Sequence, residues 1–232
     1  MLAFLPAVLW LLFYLREDCH PEPKRLILLV FIGGAVSAIM AMGAELIFIG
    51  RGGVLSSAIT LDTQPFLFFI IISIVEEYAK YLPIKFLILR RLDFDEPVDA
   101  MIYMMTAALG FAALENVLFI FPLFHESVAQ GLEVTANRFL GANLLHALSS
   151  GIVGFFLARA FFHPRRHHFI AFGIAIAALL HTVFNYLILS KESLPQSTFY
   201  IIFLLSTMAV MVFIDFERLK RNERQGVIRP SL

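Results

Sequence analysis

Long apolar stretches alternate with short charged ones along the whole chain. Runs near residues 2–15, 26–49, 65–89, 98–124, 139–161, 168–190 and 198–216 are dominated by Leu, Ile, Phe, Val and Ala. A hydrocarbon core of ~30 Å takes about 20 helical residues to cross, so the pattern predicts an all-α, polytopic membrane helix bundle of about seven transmembrane helices. The first run is short for a crossing. It lacks the basic start and small-residue cleavage pattern of a signal peptide, which predicts a retained helix entering from the outer face. The intervening loops are short, the longest at 50–64 and 125–138, and the charged segment after Phe216 reads as a solvated tail. One integral-membrane domain over residues 1–232 is therefore expected. Pro21 and Pro23 stiffen the link between the first two spans.

Charge adds a direction to this pattern. Arg16, Lys24, Arg25, Arg90, Arg91, Arg159, Arg165, Arg166, Arg218, Lys220, Arg221, Arg224 and Arg229 fall on one side, against Arg51, Arg138 and Lys191 on the other. Basic loops are retained in the cytoplasm, which predicts an N-terminus outside and a C-terminus inside. The chain is 59% hydrophobic with 25 Phe and has a mean hydropathy of +0.82, as an integral membrane protein requires. A net charge of zero gives no footprint for nucleic acid. Cys19 is the only cysteine, which excludes an internal disulfide.

Several ionisable groups interrupt the apolar runs: Glu76, Glu77 and Lys80 in the third, Glu115 in the fourth, His146 in the fifth, and His181 with Asn185 in the sixth. A charge at membrane depth costs about 3 kcal/mol or more unless it is paired or faces water, so such a set predicts a polar site. Lys80 stands four residues from Glu76 and three from Glu77, within reach of either carboxylate. Glu115 follows Ala107, Ala108, Gly110, Ala112 and Ala113, small residues that let a neighbouring helix come close and turn the acid inward. His146 has Ser149 and Ser150 on its own face, and His181 has Asn185. Counted from the outer helix ends, Glu115 and His146 lie roughly 10 Å deep, His181 roughly 13 Å, and Glu76 and Glu77 roughly 17 Å. All fall between the outer surface and the midplane.

Carboxylates and imidazoles in a water-accessible cavity suit amide hydrolysis: one acid takes a proton from water, an imidazole or second acid protonates the leaving amine, and a polar donor holds the oxyanion. HExxH is absent, yet two His with one Glu is also a catalytic zinc set. A serine route would need Ser149 or Ser150 as nucleophile beside His146. From a different class, a proton-coupled transporter would use the same groups as a relay. A relay spreads across the membrane, whereas these residues share one level, and the sequence has no inverted repeat. A catalytically silent scaffold is the third reading.

The motifs in order are EEYAK at 76–80, FAALE at 111–115, His146 within HALSSG, and HTVFN at 181–185. Together with the PEP at 21–23, they resemble the PrsW intramembrane proteases over nearly the whole chain. The set is also similar to the wider superfamily of CAAX prenyl proteases and bacteriocin-processing enzymes, with Glu115 standing where that branch has His. The resemblance implies site-1 cleavage of a single-span anti-sigma factor near its extracytoplasmic side, in a bacterial inner membrane, as part of an envelope stress response. The roles expected on this basis are Glu76 or Glu77 as general base, Lys80 pairing the other glutamate, and His146 and His181 binding a metal or polarising water. Glu115 is the third acid and Asn185 the oxyanion donor. Should zinc be the cofactor, His146, His181 and Glu115 are its candidate ligands.

Overall fold

The computed structural model describes residues 2–17, 20–49, 59–160, 166–191 and 193–224. Cys19, Arg51, Arg165 and Arg229 lie outside the described residues. The described chain is helical and contains no strand: α1 (Leu5–Tyr14), α2 (Lys24–Phe48), α3 (Pro65–Leu87), α4 (Pro97–Glu126), α5 (Val128–Leu140), α6 (Ala142–Ala160), α7 (Arg166–Leu189) and α8 (Ser197–Arg224). Short 3-10 turns, Leu2–Phe4 and Leu15–Glu17, extend α1 at both ends. Five stretches are long and apolar enough to cross a membrane: Lys24–Phe48, Pro97–Leu123, Val128–Ala160, His167–Leu189 and Ser197–Asn222. α3 has comparable length, 23 residues, but carries Glu76, Glu77 and Lys80 in its middle.

α4 is the axis of the bundle, and α1, α2, α3, α5, α6 and α8 all pack against it. Its start is set locally. Pro97 occupies the first turn, where its missing N–H costs nothing, and Asp99 Oδ2 accepts from the backbone N–H groups of Asp95 at 3.1 Å and Glu96 at 2.8 Å. Small residues then bring α2 into backbone contact. A Cβ on Gly34 would lie 1.9 Å from the Ala107 carbonyl oxygen, and one on Gly110 would lie 1.9 Å from that of Phe31. The two glycines thus hold the same interface from opposite sides, as close packing between membrane helices demands.

Lipid-facing and core-facing positions separate accordingly. On α2 the large Leu28, Ile32, Val36 and Ile39 are exposed while Gly34, Ser37, Ala38 and Ala41 are buried. On α8, Ile201, Leu205, Met208, Val212, Phe216 and Leu219 face inward at steps of three and four, and Phe199, Ile202, Phe203, Val210 and Phe213 face outward.

Two sequence expectations are corrected. Residues 125–138 are not a loop: α4 runs to Glu126, and α5 begins after Ser127, whose side chain accepts from Gln130 N–H at 3.4 Å. A search for membrane-length apolar runs cannot see this 13-residue amphipathic helix, although its cap is readable in the sequence. Nor do residues 217–224 form a solvated tail, and residues 225–232 lie outside the described residues. α8 continues to Arg224, with Leu219 buried in the core.

Candidate active site

α3, α4, α6 and α7 bring the predicted polar residues together. Helical spacing places Glu76, Glu77 and Lys80 on adjoining faces of α3, and packing turns all three inward: Glu77 and Lys80 are 0% exposed and Glu76 6%. His146 on α6 and His181 on α7 are buried beside them, their rings 5.1 Å apart between centroids and perpendicular. Phe111, the first residue of the FAALE segment, packs against the His146 ring at 5.7 Å and lies under the Lys80 ammonium at 4.7 Å.

Glu77 is saturated with donors. Lys80 Nζ donates to its Oε1 at 2.8 Å, Ser149 Oγ at 3.0 Å, and Ser150 Oγ reaches Oε2 at 3.4 Å. His181 Nδ1 is 3.0 Å from the same Oε1. A carboxylate only accepts, so Nδ1 carries the proton and His181 Nε2 is left with a lone pair, 3.7 Å from Glu76 Oε2. Glu115 treats His146 the same way. Its Oε2 is 2.9 Å from Nε2, which places the proton there and the lone pair on Nδ1. Lys80 Nζ is 2.7 Å from that Nδ1 and 3.5 Å from Glu76 Oε2.

Each imidazole is thus oriented by a carboxylate on one nitrogen, the arrangement that supports metal-binding histidines; the other nitrogen of His181 faces Glu76, and that of His146 meets Lys80, which also reaches Glu76. Ligand atoms of Glu76, His146 and His181 lie within 4.8 Å of one another. His2Glu is the donor set of catalytic zinc sites, so these residues fit a divalent metal, which would take over from Lys80 the His146 Nδ1 lone pair that the ammonium meets at 2.7 Å. The trio contains Glu76, where the sequence reading named Glu115 beside the two histidines.

A cavity of about 570 Å³ opens onto the cluster, and Glu45, Glu76, Glu115, His146, His181 and Asn185 all line it. Glu77 and Lys80 do not. Every site residue named from sequence is therefore gathered here, either on the cavity wall or directly behind it. Two further members were missed. Arg138 of α5 also lines the cavity and donates from Nη2 to Glu115 at 2.7 Å and from Nε to Asn116. Asn116 in turn donates to Asn143 at 3.0 Å, tying α4 to α6. Glu45, near the end of α2, brings the carboxyl count around the cavity and its backing layer to four, against the Lys80 ammonium and the Arg138 guanidinium. Glu45 was open to the same test that found the others, an acid within a membrane-length apolar run. Arg138 gave no such signal, because its run was read as a loop.

The model of the PrsW family intramembrane metalloprotease matches residues 22–214. The chain is 30% identical over 181 residues to Protease PrsW of Geobacillus kaustophilus, covering 78% of this chain and 74% of that protein. It is 26% identical over 224 residues to Protease PrsW of Oceanobacillus iheyensis, covering 96% and 95%. No solved structure matches the chain.

Proposed function

This chain belongs to the PrsW family, whose members are intramembrane metalloproteases, and we propose that it cuts single-span membrane proteins near their extracytoplasmic side with a zinc ion held by Glu76, His146 and His181. The protein is a membrane-embedded protease and its substrates are membrane proteins within the bilayer. The observation that carries the finer reading is the meeting of those three ligand atoms at the wall of a 570 Å³ cavity lined by a second acid and an amide.

Topology supports the side of cleavage. The helical stretch from Leu2 to Glu17 runs alongside α4: the Ala3 carbonyl accepts from Asn116 at 3.2 Å near one end of α4, and Tyr103 near the other donates to Glu22. Counting this stretch with α2, α3, α4, α6, α7 and α8 gives seven crossings, α5 being a short helix at the outer end. Lys24, Arg25, Lys85, Arg90, Arg91 and Arg159 gather at the opposite end, which supports a cytoplasmic C-terminus and an external N-terminus. Glu45, Arg138 and Asn185 on its wall then support a cavity mouth on the extracytoplasmic side. The whole chain acts as one protease domain in the inner membrane of a bacterium. An anti-sigma factor with a single span suits this geometry as substrate, its first cleavage starting the release of a sigma factor.

When bound, zinc acts as a Lewis acid toward the scissile carbonyl and makes water a better nucleophile near neutral pH. The chain's own residues divide the remaining work. Glu77 holds His181, and Glu115 holds His146, each fixing the ring of a metal ligand. Lys80 pairs with Glu77. Glu115 also faces the cavity, so it can take the proton of the attacking water and return it to the leaving amine, with Arg138 keeping it in place. Asn185, on the cavity wall, is the donor for the developing oxyanion. Gathering at one level favours this reading over a transmembrane proton relay.

The test is cleavage of a panel of single-span anti-sigma factors by the purified chain in nanodiscs, with zinc content measured in parallel. Stoichiometric zinc and cleavage that a chelator abolishes and zinc restores are expected. Cleavage that persists after the metal is removed overturns the metal assignment, and intact panel substrates beside cleaved unrelated membrane proteins overturn the substrate assignment.

A further inference from the structure

At the end of the bundle opposite the active cavity, α3 and α7 stand apart over two adjoining hollows. The first, about 220 Å³, is lined by Lys85 and Arg90 at the end of α3 and beyond, by His167 at the start of α7, and by Tyr81. The second, about 440 Å³, is an apolar groove between the two helices with Ile74, Tyr78, Ala171 and Ile174 on its walls. Tyr81, Lys85, His167 and Ile170 line both, so the two are continuous. Among the described residues, no acidic side chain lines either. Lys85, Arg90 and His167 are exposed, and Lys85 also lies over the Phe86 ring at 5.5 Å.

Dimensions identify the occupant. From Lys85 to Ile74 is eleven residues of α3, roughly 16 Å at 1.5 Å per residue, which equals one leaflet of a ~30 Å hydrocarbon core. A cationic hollow at the headgroup level opening into an apolar slot one leaflet deep matches a two-part molecule, anionic at one end and aliphatic along its length. We propose that the gap between α3 and α7 binds one anionic glycerophospholipid from the leaflet at the basic end, its phosphate among Lys85, Arg90 and His167 and one acyl chain along Ile74 and Ile174. Basic pockets between membrane helices recognise such headgroups by charge. The site is separate from the protease cavity: no residue lines both, and Ile74, two residues from Glu76, lies on another face of α3.

Native mass spectrometry of the detergent-solubilised full chain tests the assignment. With phosphatidylglycerol and phosphatidylcholine added in turn, one phosphatidylglycerol is expected to be retained at about tenfold lower concentration than phosphatidylcholine. The double change Lys85→Gln and Arg90→Gln, both exposed and harmless to packing, removes that preference, whereas Arg218→Gln on α8 leaves it. Ala171→Trp fills the groove and weakens retention with every cationic group intact. Equal retention of the two lipids, or an undiminished preference in the double variant, overturns the proposal. So does displacement of the lipid by glycerol phosphate at equal concentration, because it would mark a site for phosphate alone.

Discussion

The cavity wall and the layer behind it handle buried carboxylates in opposite ways. Behind the wall, Glu77 is fully enclosed and takes hydrogen bonds from Lys80, Ser149 and Ser150 as well as His181. On the wall, Glu76 has Lys80 at 3.5 Å and His181 at 3.7 Å and otherwise faces the cavity. A buried charge with all its acceptor sites filled is fixed in place, which suits it to orienting an imidazole. One with acceptor capacity remaining beside a cavity is available to a metal or to water. Adjacent residues of one sequence motif therefore divide into support and chemistry.

The largest effect that could break this comparison is at Glu76. Glu76→Gln is expected to lose bound zinc and to lower kcat/KM by about a thousandfold or more, with the melting temperature in detergent little changed. Zinc retained at wild-type stoichiometry would move Glu76 out of the ligand trio. Glu115→Gln should lower kcat by about a hundredfold or more, the usual share of a general acid-base, and weaken zinc affinity by about 10–100-fold through the His146 it orients, while still filling with zinc at saturating metal; zinc analysis at saturating metal beside single-turnover rates separates the two glutamates.

Glu77 sharpens the contrast from the other side. Removing its charge and shape together, as in Glu77→Ala, leaves the enclosed Lys80 without its nearest carboxylate and is expected to destabilise the fold by about 3–5 kcal/mol, read as a lowered melting temperature. The milder Glu77→Gln should instead weaken zinc affinity by about 10–100-fold, as loss of an orienting carboxylate does. A Glu77→Gln enzyme with unchanged zinc affinity would place the support elsewhere.

Smaller effects are expected farther along the wall. Asn185→Ala should lower kcat by about a hundredfold at most with KM unaltered, as for a lost oxyanion donor. Glu45→Gln, at the rim and away from the ligand trio, should shift KM alone. A fall in kcat at Glu45 equal to that at Glu115 would erase the distinction between rim and centre.

Much of this site is legible in the sequence because the bilayer makes it so. Glu76, Glu77, Glu115, His146 and His181 stand out against apolar runs, and a charge in hydrocarbon is too costly to be incidental. The four helices that carry them and their common depth follow from run length and rise per residue. The short helix α5 does not, since a 13-residue amphipathic segment with exposed Val128 and Leu132 produces no membrane-length run. Arg138 was lost with it.

What the sequence determined by itself is which residues would be gathered and on which helices, because length, spacing and hydropathy act within one segment. What only the tertiary structure decided is how they share the work. Successive helical residues point about 100° apart, so although Glu76 and Glu77 both reach Lys80 and His181, only one of them faces the cavity. Which of them meets the cavity depends on the rotation of α3 about its axis. That rotation is set by contacts made by other helices: Gly33 of α2 against Pro83, His146 of α6 against Lys80, and His181 of α7 against the two acids.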